Sequence, residues 1–154
     1  MPHQLQVVLI EPEIPTNTGS IGRLCLATQS TLHLVDPLGF EINDTQLKRA
    51  GLDYWQHLDV VRHPGLDAFF ESLADGAPLV FFSKKAKPSY LGHRFEAGSY
   101  LIFGKETKGL SKKLIEHYSS QAFRIPLYDP RVRSLNLANA VSIVLYEAIR
   151  QLGA

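Results

Sequence analysis

Apolar residues along this chain gather into short runs, the first of them continuous apart from Gln6. Leu5 to Ile10, Leu32 to Val35, Leu58 to Val61, Leu79 to Ser83, Tyr100 to Phe103 and Ala122 to Ile125 each predict a strand buried on both faces. Such strands belong to a parallel sheet, whose two sides are covered by helices. The segments between them carry helical spacing: Gly19 to Gln29, Thr45 to Ala50, Leu66 to Ala74, Ser111 to Tyr118 and Asn136 to Leu152. Asn43-Asp44-Thr45-Gln46 offers a capping box to the second helix, and Ser111 a cap to the fourth. The alternation predicts an α/β fold, a parallel sheet flanked by helices, with ligand loops at the carboxyl ends of the strands. No repeat or linker interrupts it, so residues 1–154 are expected to form a single domain.

The last helix departs from the pattern of one apolar stripe. Leu137, Ala138, Ala140, Val141, Ile143, Val144, Leu145, Ala148, Ile149 and Leu152 cover more of its circumference than one sheet can bury. A second surface is needed, and another copy of the chain supplies it most simply. The expectation is a homodimer through this helix, with Val141 and Val144 at the contact. Asn139, Ser142, Tyr146 and Arg150 form a narrow polar seam along it.

Composition narrows the setting. Hydrophobic residues make up 45% and charged residues 20%, which excludes a disordered or collagen-like chain. No apolar run approaches the ~20 residues of a membrane span, and no export signal precedes the first strand. A single cysteine, Cys25, excludes an internal disulfide, so a reducing, cytoplasmic setting is expected. None of the six histidines has metal-ligand spacing, and no metal is expected. The net charge of +1 conceals an asymmetry. Residues 84–133 hold eleven Lys and Arg against four acids, a net of +7, leaving −6 elsewhere. A polyanion such as RNA suits the basic part, although a solvated basic face would have the same composition.

Three segments carry candidate chemistry. In the first, Glu11 to Arg23, two prolines stiffen a loop, and Thr16 or Asn17 is placed to cap a helix whose free amides suit an anion. At 100° per residue Ile21, Leu24, Cys25 and Thr28 face the sheet, whereas Arg23 lies beside Gly19, Ser20 and Ala27 with its guanidinium reachable. A surface arginine beyond a helix cap would read the same way. Neither GxGxxG nor GxxxxGK[ST] is present. The second segment, Leu101 to Ser111, is a strand ending in Gly104 followed by a basic loop, where glycine permits close approach of a backbone or a flat ring. The third runs from Phe123 through Ile125-Pro126 to Val141, with Ser134 or Asn136 capping the final helix.

Together, Asn-Thr-Gly-x-Ile-x-Arg at 17–23, Phe-Gly-x-Glu-x-x-Gly-Leu at 103–110, and Ile125-Pro126 followed by Arg-Ser-Leu-Asn-Leu-x-Asn-Ala-Val at 133–141 resemble the signature motifs of the SPOUT RNA ribose 2′-O-methyltransferases. Gly-Leu-Asp-Tyr at 51–54 and the absence of an added RNA-binding module resemble the short TrmL branch. The resemblance implies a C-terminal trefoil knot whose loops bind S-adenosyl-L-methionine, a dimer, and methylation of the 2′-hydroxyl of the wobble nucleotide, cytidine or modified uridine, in the anticodon loop of tRNA, leucine tRNAs included. By motif it places Arg23 in catalysis, in an electrostatic and orienting role, because an arginine is almost always protonated. It places the donor among Phe82, Gly104, Ile125 and the stretch from Ser134 to Asn139, with Ser134 and Asn139 singled out. RNA contact is expected from Lys84, Lys85 and Arg133, with Tyr146 reaching across a dimer, and Glu106 is expected to brace its loop. A nucleotide-binding α/β domain and a non-catalytic RNA-binding module are the alternatives.

Overall fold

The computed structural model describes residues 3–43 and 45–153. Six parallel strands, β1 (Gln6–Ile10), β2 (Thr31–Val35), β3 (Val60–His63), β4 (Leu79–Phe82), β5 (Tyr100–Phe103) and β6 (Ala122–Phe123), lie in the order β3-β2-β1-β5-β4-β6. Among the described residues five α-helices accompany them: α1 (Pro15–Thr28), α2 (Thr45–Gly51), α3 (Leu66–Glu71), α4 (Lys112–His117) and α5 (Leu137–Leu152). The apolar runs become strands because both of their faces are buried. Val7, Leu9, Leu32, Leu34, Leu101 and Phe103 point to one side, against Ile21 and Cys25 of α1 and Val141, Val144, Leu145 and Ala148 of α5. Val8, Ile10, Val35, Phe81 and Ile102 point to the other, against Phe69 of α3 and Ile115 of α4. Burying a side chain of the size of Val144 or Leu145 contributes about 2 kcal/mol.

Two strand boundaries differ from expectation for identifiable reasons. β3 begins at Val60, because Leu58 closes the 3-10 turn Leu52–His57 through its N–H to Trp55 O (3.1 Å) and packs against α1. As an edge strand β3 carries the exposed Val61 and Arg62, so it is not buried on both faces and the expected run Leu58 to Val61 overlaps it only at Val60 and Val61. β6 stops at Phe123, and Arg124 pairs only with Ser89, leaving Ile125 free of the sheet.

Local caps behave unequally. Ser111 Oγ accepts from Leu114 N (3.1 Å) at α4, and Asn136 Oδ1 accepts from Asn139 N (3.2 Å) at α5. The expected capping box at 43–46 includes Asp44, which lies outside the described residues. Helix α1 starts four residues before the expected Gly19, at Pro15, whose fixed φ and missing N–H suit the first helical position. Neither Thr16 nor Asn17 caps it; the cap residue is Ile14, with no side-chain bond of its own.

Val141 and Val144 are fully buried within their own chain, so the expected role for them at a contact between copies does not hold. The exposed stripe of α5 is instead Asn139, Ile143, Tyr146 and Arg150. Beneath the opposite sheet face lies a buried polar chain. Gln6 Oε1 meets His33 Nε2 at 2.7 Å, His33 Nδ1 meets His63 Nε2 at 3.0 Å, and Phe69 stands edge-on to both rings. Burial, and then the neighbouring His63, push His33 down to about 4; burial also lowers His63.

Candidate active site

The start of α1 is held by a carboxylate from a distant part of the chain. Glu106 Oε1 accepts from Glu13 N (2.8 Å), and Glu106 Oε2 from Ile14 N (3.0 Å) and Asn17 Nδ2 (3.2 Å). Glu106 thus ties down the two backbone N–H groups that lead into α1 and the Asn17 side chain, so a carboxylate of the chain itself stands beside the helix start where an outside anion was expected. Glu13 returns the contact: its Oε1 accepts from Thr107 N (2.9 Å) and Thr107 Oγ1 (2.8 Å), and these bonds hold its carboxyl below the usual range. Asn17 Oδ1 in turn accepts from Asn136 Nδ2 (3.0 Å), and Asn136 caps α5. One chain of hydrogen bonds therefore joins the glycine loop after β5, the first turn of α1 and the first turn of α5, uniting the three sequence motifs.

Around this chain lies a cleft of about 330 Å³, the lower end of the range for small-ligand sites. It opens at the carboxyl ends of β4 and β5, beside the point where the strand order reverses. Phe82 and Phe103, partners in register on adjacent strands, stack at 5.0 Å and 18° as its floor. Ile125, Leu135, Leu137 and Ala140 complete an apolar slot, with Ser134, Asn136 and Asn17 at its polar edge. The wall is thin at Gly104: a Cβ there would lie 2.2 Å from Gly109 C and from Leu110 N, so only glycine lets the loop fold back on itself. Lys85 Nζ fastens this wall by donating to Leu110 O (2.6 Å) and Lys108 O (3.4 Å).

The structure brings Phe82, Gly104, Ile125 and Ser134 together on the lining of this cleft, with Lys84 and Lys85 at its side. Asn139 is exposed and off the lining; its backbone N–H serves the α5 cap. Arg23 is exposed on α1 and does not line the cleft; its guanidinium carbon lies 5.2 Å from the ring centre of Tyr54. Arg133 is exposed beside Ser134, and Tyr146 is exposed on α5. Leu135, Asn136 and Leu137 line the cleft within the expected stretch Ser134 to Asn139, whereas Phe103 lines it without having been expected there; the level ends of the two phenylalanine strands were its signal. Among the described residues no group of three or more His, Cys, Asp or Glu is placed to hold a metal, and no helix is long and apolar enough to cross a membrane.

The class this defines is a parallel α/β protein with a small-ligand cleft, aromatic at its floor, in the loops after β4, β5 and β6, tied to the first and last helices. Residues 4–146 match the SpoU rRNA Methylase family, and the chain belongs to it. It is 47% identical to the tRNA (cytidine(34)-2′-O)-methyltransferase of Aeromonas hydrophila over 97% of this chain and 95% of that protein. A solved structure described as "Structural insights into the 2-OH methylation of C/U34 on tRNA" superposes with a TM-score of 0.95 at 45% identity, covering 99% of both chains. The SpoU methyltransferase AviRb of Streptomyces viridochromogenes, solved with the cofactor AdoMet, matches at a TM-score of 0.84 and 27% identity, over 99% of this chain and 62% of that one.

Proposed function

We propose that this chain methylates the ribose 2′-hydroxyl of the nucleotide at tRNA position 34, cytidine or uridine, using S-adenosyl-L-methionine. The observation that carries the reading is the cleft itself, built from all three motifs and locked by the Glu106, Asn17 and Asn136 chain. Its residues fit the donor: the aromatic and aliphatic slot suits an adenine, and the hydroxyl and amide groups at its edge suit a ribose and an amino-acid end. When bound, the donor supplies a methyl group already activated on a sulfonium. The chain's own task is then alignment. Holding a ribose oxygen about 3 Å from its target can supply roughly 7–11 kcal/mol of the barrier.

Arg23 is assigned to the reacting ribose or its neighbouring phosphate. Among the described residues it has no carboxylate partner, so its charge is available to an anion. Lys84 and Arg133 are exposed near the cleft mouth and are assigned to phosphate contacts, which fix the orientation of the RNA. Lys85 combines such a contact with its tether to the glycine loop. The same reading takes the chain to be a cytoplasmic homodimer through the exposed stripe of α5, and threads its C-terminal third as the trefoil knot.

The test is labelled methyl transfer to tRNA, with leucine tRNAs first, by the wild-type chain and Arg23→Ala. The expected result is transfer to position 34 by the wild type, with the variant losing at least about a hundredfold in rate while donor affinity by calorimetry stays within about twofold. Methyl transfer unchanged in Arg23→Ala, or no donor binding by the wild type, overturns the proposal.

A further inference from the structure

The guanidinium of Arg23 is placed by contacts that start one residue away. A Cβ at Gly22 would lie 2.6 Å from Trp55 Cζ3 and 2.9 Å from Leu58 Cδ2, so the missing side chain is a notch that seats the 3-10 turn Leu52–His57 on α1. The notch brings together the residue after Gly22 and the residue before Trp55, Arg23 over the ring of Tyr54 at 5.2 Å. Both side chains are exposed, Tyr54 to 41%. An aromatic face attracts a guanidinium without taking its N–H groups, which all lie in the guanidinium plane. A carboxylate in the same place would have neutralised the charge and occupied the fork that grips a phosphate.

We infer that Tyr54 is a positioning residue for Arg23, acting through its ring face and not its hydroxyl, so that the guanidinium meets the reacting nucleotide in one orientation with its donors unspent. This inference rests on the assignment of Arg23 to that nucleotide. It makes three demands. The ring, not the phenol, is required; the effect falls on turnover, not on donor affinity; and the arginine side chain feels the ring before any RNA arrives.

The experiment compares Tyr54→Phe and Tyr54→Leu in the full chain by steady-state methyl transfer to tRNA, donor calorimetry, thermal melting, and NMR of the Arg23 side-chain signals, which a ring at this distance displaces. The expected result is that Tyr54→Phe stays within about twofold of wild type and keeps the displaced signals. Tyr54→Leu should lose about 3- to 30-fold in kcat, the range expected from an exposed to a desolvated cation and ring pair, and return those signals to ordinary positions. Donor affinity, KM for tRNA and melting temperature should hold. Wild-type kcat in Tyr54→Leu, an equal loss in Tyr54→Phe, or a loss confined to KM overturns the inference. The parent assignment fails separately: Arg23→Ala with unchanged turnover refutes it whatever Tyr54 does, whereas an inactive Arg23→Ala beside a fully active Tyr54→Leu refutes only the role of the ring.

Discussion

Glu106→Gln separates a structural carboxylate from a chemical one. The wild-type oxygens accept three hydrogen bonds, from Glu13 N, Ile14 N and Asn17 Nδ2. Bonds to a charged acceptor are worth about 1.5–3 kcal/mol each, and a carboxylate at a helix start adds about 0.3–1 kcal/mol. The amide keeps one acceptor oxygen but turns its NH2 toward a backbone N–H, so one or two of the three bonds are lost along with the charge. The net cost is about 3 kcal/mol. At about 2–4 °C per kcal/mol for a chain of this size, the melting temperature should fall by about 6–12 °C. Donor affinity should weaken with it, because Asn17 and Asn136, which frame the cleft, are held through the same chain. Scanning calorimetry of the variant with and without donor measures both effects. A melting temperature within about 2 °C of wild type together with lost turnover and intact donor binding would refute the reasoning and assign Glu106 to the chemistry.

Three further outcomes are expected. For His33, whose folded pKa lies at about 4, the unfolded chain takes up a proton near the ordinary 6.5 while the folded chain resists it. Stability is therefore intact above pH 6.5 and declines as the pH falls toward 4, by about 2–3 kcal/mol; urea melts from pH 7 to 4 should show the slope, and His33→Phe should flatten it. Gly104→Ala drives a Cβ into Gly109 and Leu110, so donor binding by calorimetry should be lost even where a folded chain is recovered. Ile143→Glu, on the exposed stripe of α5, should convert a dimer to a monomer in sedimentation, while Ile143→Val should not; an unchanged assembly in Ile143→Glu refutes that contact.

What the residues disclosed and what they withheld follow from the range of the forces involved. β5 matches its apolar run residue for residue, since Tyr100 to Phe103 is buried between β1 and β4. Ser111 was legible as a cap because its partner Leu114 is three residues away. The cap of α1 was not, because Glu106 reaches Ile14 across 92 positions, and Pro15 looked like a loop stiffener when it is the first residue of the helix. The periodicity of α5 located the helix but overstated its unpartnered surface, since α1 and the sheet cover Val141 and Val144. Of the expected cleft residues, those fixed to strand ends and motif loops converge. Asn139 does not, because a helix turns its side chain outward two residues after Leu137.

The carboxylate seated on α1 also bears on which adenosine derivative the cleft can choose in a cell where ATP is abundant. In many α/β proteins the opening turn of a helix welcomes a triphosphate; here a negative group of the chain's own stands beside that turn, held by the N–H groups of Glu13 and Ile14. A polyphosphate tail entering the cleft would meet repulsion where related architectures provide attraction, whereas a tail bearing a sulfonium would not. Selection against ATP would then come from the charge of an internal acid fixed beside the cleft.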